Sequence, residues 1–98
     1  MPIFALMTKL APEEAKNPSL RAQQGKRWMQ RVRARCPGLK WIAHYAMLGP
    51  YDFLDIYEAP NEEVAAKVSL VTLAMGASAA ESWTLIPYDR FLNLTQSV

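Results

Sequence analysis

Apolar residues along this chain alternate between strand-like runs and helical stripes, and the switches mark out six elements. Pro2 to Leu10 carries Ile3, Phe4, Leu6 and Met7 on both of its faces, which predicts a central strand covered on both sides. Ala11 to Pro18 is a loop, with Pro12 and Pro18 as breakers. Asn17 can cap the helix that follows, and Pro18 suits its first position. From about Pro18 to Cys36, the residues Gly25, Trp28, Met29, Val32 and Cys36 recur on one helical stripe, with Arg27 and Arg31 nearly opposite. Pro37-Gly38 ends that helix. Leu39 to Leu48 and Asp52 to Glu58 read as two strands joined at Gly49-Pro50. Asn61 caps a second helix, with Glu62 and Glu63 in its first turn; it runs to Met75 and stops at Gly76. Glu81 to Tyr88 is a fourth strand, and the tail from Asp89 to Val98 adds a short helical turn through Phe91, Leu92 and Leu94.

The order β-α-β-β-α-β predicts a ferredoxin-like α+β fold: a four-stranded antiparallel sheet with two helices on one face, making a single domain over residues 1–98. The other sheet face must then be solvated or covered by something else. In the third strand, Leu54 and Ile56 form the aliphatic pair expected to face the helices, which leaves Phe53, Asp55 and Tyr57 on the open face. Two such sheets packed face to face would enclose them, so the expected state is a homo-oligomer, at least a dimer. The second helix adds to this expectation. Val64, Val68, Val71 and Met75 can cover the sheet, while Ala66, Leu70 and Leu73 point roughly the opposite way.

Half of the 98 residues are hydrophobic, enough for a globular core and too many for disorder. No apolar run approaches a membrane span, and the N-terminus lacks the charged start and apolar core of a signal peptide. The one cysteine, Cys36, cannot form an internal disulfide, and a reducing cytoplasm is the expected location. The net charge of +2 conceals an asymmetry: between Ala15 and Tyr51 there are eight basic residues and no acidic one. A basic helix can attract nucleic acid or an anionic ligand. No recognition motif accompanies it here, and a solvated helix face accounts for the charge, so nucleic acid is not the expected partner.

The hairpin brings the candidate chemistry together. If its turn is centred on Gly49-Pro50, His44 lies opposite Asp55, Ala46 opposite Phe53 and Ile42 opposite Tyr57. A carboxylate beside an imidazole fixes its tautomer and raises its basicity. His44 is thus a candidate general base, oriented by Asp55, with Tyr57 as a polar neighbour that positions substrate. The plain alternative is a His–Asp pair that only holds the hairpin. Phe53, Tyr57, Tyr51, Asp52 and Trp83 are candidate ligand-binding residues; for Asp52, hydrogen bonding within the turn is the competing role. One His, one Cys and scattered carboxylates give no metal-ligand spacing. There is no phosphate loop, nucleophile elbow or dinucleotide fingerprint, so no cofactor is expected.

The run Gly49-Pro50-Tyr51-Asp52, followed by Glu58-Ala59-Pro60-Asn61, Gly76 and Glu81-Ser82, resembles the GYD domain family from about Phe4 to Phe91. The resemblance implies a small ferredoxin-like protein, similar in architecture to dimeric α+β barrel proteins. Those include cofactor-independent monooxygenases, isomerases of small lactones and ligand-sensing domains. The chain departs from the family pattern at Ala11-Pro12-Glu13-Glu14 and at Asp55 and Tyr57, which interrupt an otherwise aliphatic strand. The leading expectation is binding of a small apolar or aromatic molecule, between sheet and helices or between two sheets. A cofactor-independent enzyme using His44 and a pure assembly module are the alternatives.

Overall fold

The elements form in the expected order in a computed structural model that describes residues 1–98. They are β1 (Ile3–Lys9), a short α1 (Pro12–Ala15), a 3-10 turn (Pro18–Leu20) running into α2 (Arg21–Arg35), β2 (Lys40–Ala46), β3 (Phe53–Glu58), α3 (Glu62–Ala74), β4 (Ala79–Leu85) and α4 (Tyr88–Thr95). The strands make one antiparallel sheet in the order β2-β3-β1-β4. This is the ferredoxin-like arrangement, with α2 and α3 on one face. No helix is long and apolar enough to cross a membrane.

Local chemistry explains most boundaries. Asn61 Oδ1 accepts from Val64 N at 2.9 Å and starts α3. Gly76 ends it with φ +108°, a left-handed conformation that glycine adopts without strain. Asn17 does not cap as expected; its side-chain amide donates to Glu13 O at 3.1 Å. The segment after β1, expected as loop, makes the single turn of α1, with Pro12 at its first position and Glu13 and Glu14 favouring its positive end. β4 begins and ends earlier than expected. Lys9 pairs with Ala79 and Ile3 with Leu85, so the length of β1 sets both limits. The tail gives the eight-residue α4, whose Tyr88, Phe91, Leu92 and Leu94 remain exposed.

The core lies between the sheet and the two long helices. Phe4 and Leu6 from β1, Val32 and Cys36 from α2 and its end, Tyr57 and Ala59 from β3 and its end, and Ala65 and Val68 from α3 form one buried cluster. Phe4, Ala5, Leu6 and Met7 are all buried, so β1 is covered on both faces.

The parity of β3 is the reverse of the expectation. Tyr57 is wholly buried in the core, stacked on Phe4 with centroids 5.6 Å apart. Phe53, Asp55 and Tyr57 therefore face the helices, and Leu54 and Ile56 lie on the open face. The aliphatic pair loses because Tyr57 offers more area to bury and finds partners there for its hydroxyl. It lies 3.1 Å from Ser82 Oγ, and Ser82 in turn lies 2.7 Å from Ser69 Oγ on α3.

Replacing Gly76 with Ala tests the α3 terminus. An added Cβ would sit 2.6 Å from Glu14 Oε1 in a backbone conformation unfavourable to L-residues. The variant is expected to lose about 1–2 kcal/mol, read as a lower urea midpoint with an unchanged slope.

Candidate functional site

The β2–β3 hairpin sets the first half of the site. Met47 N donates to Asp52 O at 2.8 Å, closing the loop around Gly49-Pro50. His44 pairs with Asp55 and Ala46 with Phe53, as the expected register requires. Further along, a bulge at Ile42 shifts the pairing, and Trp41 rather than Ile42 opposes Tyr57. The bulge turns Trp41 under the sheet, where its ring packs 5.3 Å from Tyr57 and 5.2 Å from His44.

His44 Nδ1 and Asp55 Oδ1 are 2.7 Å apart. The pair lies on the helix-covered side of the sheet, not on the open side where a second copy would cover it. The Asp55 side chain is 10% exposed and that of His44 47%. Burial raises the Asp55 carboxyl above its ordinary range, and the bond to His44 opposes that rise. That bond uses Nδ1 of the imidazole.

Asp55 also opens onto a cleft of about 420 Å³ between α2, α3 and the sheet. Phe53 and Asp55 from β3 and Thr8 from β1 form its floor; Arg21, Gln24, Gly25 and Trp28 form the α2 wall, which Arg27, expected nearly opposite them, also lines. These four α2 residues follow i, i+3, i+4, i+7 spacing, which places them on one face. Trp28 Nε1 donates to Thr72 Oγ1 at 2.9 Å, and Thr72 donates to Val68 O at 2.7 Å, which ties the two helices together beside the cleft. The Arg21 guanidinium stands 5.5 Å from the Phe53 ring centroid. Its nearest carboxylate, Glu14, is 3.8 Å away, beyond hydrogen-bond range.

The remaining sequence candidates divide. Tyr57 is core, below the cleft, and burial raises its phenol. The Asp52 carboxylate does not bond within its own turn: its Oδ2 accepts from Leu10 N at 2.7 Å, which ties the hairpin loop to the end of β1. Tyr51 and Trp83 belong to the other side of the molecule. Both donate to Glu81, Tyr51 Oη to Oε2 at 2.6 Å and Trp83 Nε1 to Oε1 at 2.9 Å. These bonds hold the Glu81 carboxyl below its ordinary range and raise the Tyr51 phenol. Trp83 thus shares no site with His44 and Asp55. Arg21, Gln24 and Thr72 were not expected. The signal for the first two was there, because they extend the Gly25–Trp28 stripe toward the start of α2 with polar residues. No group of three or more His, Cys, Asp or Glu side chains could hold a metal ion.

Asp55 gives stability a pH dependence of definite sign. A carboxyl whose folded pKa is raised binds more protons in the folded state, so its contribution favours folding at low pH. That contribution falls as pH rises from the ordinary value, near 3.8, through the raised one. Asp55→Asn is expected to remove this falling component from the stability–pH curve, measured by urea unfolding from acid to neutral pH.

A model of the GYD domain matches residues 4–94. One curated relative, from Thermus thermophilus, is 29% identical over 87 residues, covering 89% of this chain and 90% of its own length. It is named glutamine synthetase and cystathionine beta-lyase binding protein. No solved structure matches the chain significantly.

Proposed function

The chain belongs to the GYD domain family, and from that premise we propose that it binds a small, partly aromatic or apolar molecule in the cleft between α2, α3 and the sheet. The observation that carries this reading is Gly25. It sits in the interior of α2, where glycine costs about 0.5–1 kcal/mol relative to Ala. A Cβ there would meet nothing within 4 Å, so no packing in the protein itself demands the missing side chain. Gly25 lines the cleft, and a larger residue would fill it. The cleft volume falls within the range of about 300–1,000 Å³ usual for small-molecule sites. Gly25→Leu is expected to melt no lower than wild type, yet to lose any small-molecule adduct that native mass spectrometry finds on gently purified wild-type protein. Equal adducts on both proteins, or none on either, would count against the reading.

The second part of the proposal is assembly with another copy through the open sheet face. Tyr45 and Trp83 lie on it, and Ile42 stands at the bulge on its edge; all three are about half exposed. Four strands at about 4.8 Å spacing, six or seven residues long at about 3.3 Å each, make a face of roughly 430 Å² in projection. Its protruding side chains bring the accessible area toward the ~800 Å² per partner of a standard interface. The same face recurs on every copy, as a two-fold contact requires. Light scattering is expected to give a dimer or larger for wild type and a monomer for the pair Tyr45→Asp and Trp83→Asp. A wild-type monomer at high concentration sinks this part. The lone, buried Cys36 fits the reducing cytoplasm in which we place the protein.

The relative's name favours a second reading, in which the chain is a protein-binding module. Under that reading, purified glutamine synthetase or cystathionine beta-lyase would co-elute with this chain. The enzyme reading has less support, since His44 is not among the residues that line the cleft.

A further inference from the structure

We infer that the α2 cleft selects a small carboxylate that also carries an N–H or O–H donor on an apolar body, such as an amino or hydroxy acid with an aromatic side chain. This rests on the reading that the cleft holds a small molecule, and it names the class of that molecule.

Polar groups in the cleft wall define the class by what they offer a ligand. Arg21 lines the cleft with a side chain that is 31% exposed, and its Nη1 makes no hydrogen bond. The guanidinium sits over the Phe53 ring, and the loose contact with Glu14 leaves its charge incompletely matched. An anionic acceptor answers it, and a carboxylate fits the guanidinium fork best. Gln24 lines the same wall, and its Oε1 has no donor in the protein. It lies one turn along the same helix face, close enough for one small ligand to reach both. Across the cleft, Asp55 bonds His44 through Oδ1 and leaves Oδ2 as a further acceptor. One site for an acceptor and two for donors therefore converge on one cavity.

The apolar body follows from the rest of the lining. Phe53, Trp28, Leu10 and Met75 supply aromatic and aliphatic walls. A purely apolar solute would leave the guanidinium and the amide oxygen unpaired, which is the expensive way to occupy such a site. A purely anionic solute would answer Arg21 and Arg27 but leave the acceptor atoms of Asp55 and Glu14 without a donor. A carboxylate with its own donor satisfies both sets at once.

Four probes separate the terms: 3-phenyllactate, 3-phenylpropanoate, 2-phenylethanol and toluene. They share a phenyl body and carry, respectively, carboxylate plus donor, carboxylate alone, donor alone, and neither. Amide chemical-shift titration of the intact chain is expected to show 3-phenyllactate moving residues 21–28 and 53–55. Its affinity should exceed that of each single-function probe by about ten- to hundredfold, the range commanded by a hydrogen bond to a charged group. Arg21→Gln and Gln24→Leu should each erase most of that margin while leaving toluene binding unchanged, with thermal melts confirming that both variants fold. Equal affinity for all four probes in the cleft would overturn the class and leave the cleft reading standing. No shift of cleft amides by any probe at millimolar concentration would overturn both.

Discussion

Tyr57 sets the parity of β3, and almost everything else about the molecule follows from that parity. Burying its ring is worth about 1.5–3 kcal/mol, and a buried hydroxyl left unpaired would forfeit about 1–3 kcal/mol. Ser82 on β4 and Ser69 on α3 supply the partners, and Ser82 also donates to Ala65 O at 3.2 Å. A slip of one residue would put Leu54 and Ile56 against those two serines and strand their hydroxyls in an aliphatic setting. It would also lift Asp55 and Phe53 out of the cleft. The polar trio under α3 therefore does more than satisfy itself; it selects the side of the sheet on which the cleft can exist.

The order of elements was legible because each boundary has a local cause. Pro12, Pro18, Asn61 and Gly76 act within a few residues of themselves, and the alternation and helical stripes need no tertiary knowledge. The His44–Asp55 pairing was legible for the same reason, since the hairpin loop alone sets that register. The facing of β3 was not. Its sequence offers an aliphatic row and an aromatic-acid row, and local pattern ranks the aliphatic row as core. The deciding groups, Ser69 and Ser82, lie 12 and 25 residues further along the chain, and only the fold brings them to Tyr57. The bulge at Ile42 was hidden for a related reason: it answers the packing of Trp41 among Trp28, His44 and Tyr57.

Once β3 is oriented, the basic first helix acquires a reading that its charge alone did not give. Arg33 and Arg35 stay exposed in its last turn, where they suit the negative end of the helix. Arg21 is different. It stands at the other end, where a positive charge is electrostatically disfavoured, and it is held over Phe53 instead of reaching into water. A cation kept at the wrong end of a helix, half-buried and short of partners, is a local conflict of the kind that functional sites retain.

The two faces of the sheet treat their polar groups in opposite ways, and this separates their roles. On the open face, both carboxylate oxygens of Glu81 already have donors, from Tyr51 and Trp83. If those donors travel with it, that face can be covered by another apolar surface without creating an unpaired group. In the cleft, Arg21 and Gln24 each keep an atom that is shielded yet unpaired. A dry apolar surface there would also bury the exposed parts of Arg21 and Arg27 without partners, a cost that the open face does not carry. The same strand thus presents Leu54 and Ile56 to a face suited to packing and Asp55 to a cleft suited to recognition. Because β3 is shared, anything that covers one face also steadies the strand that floors the cleft.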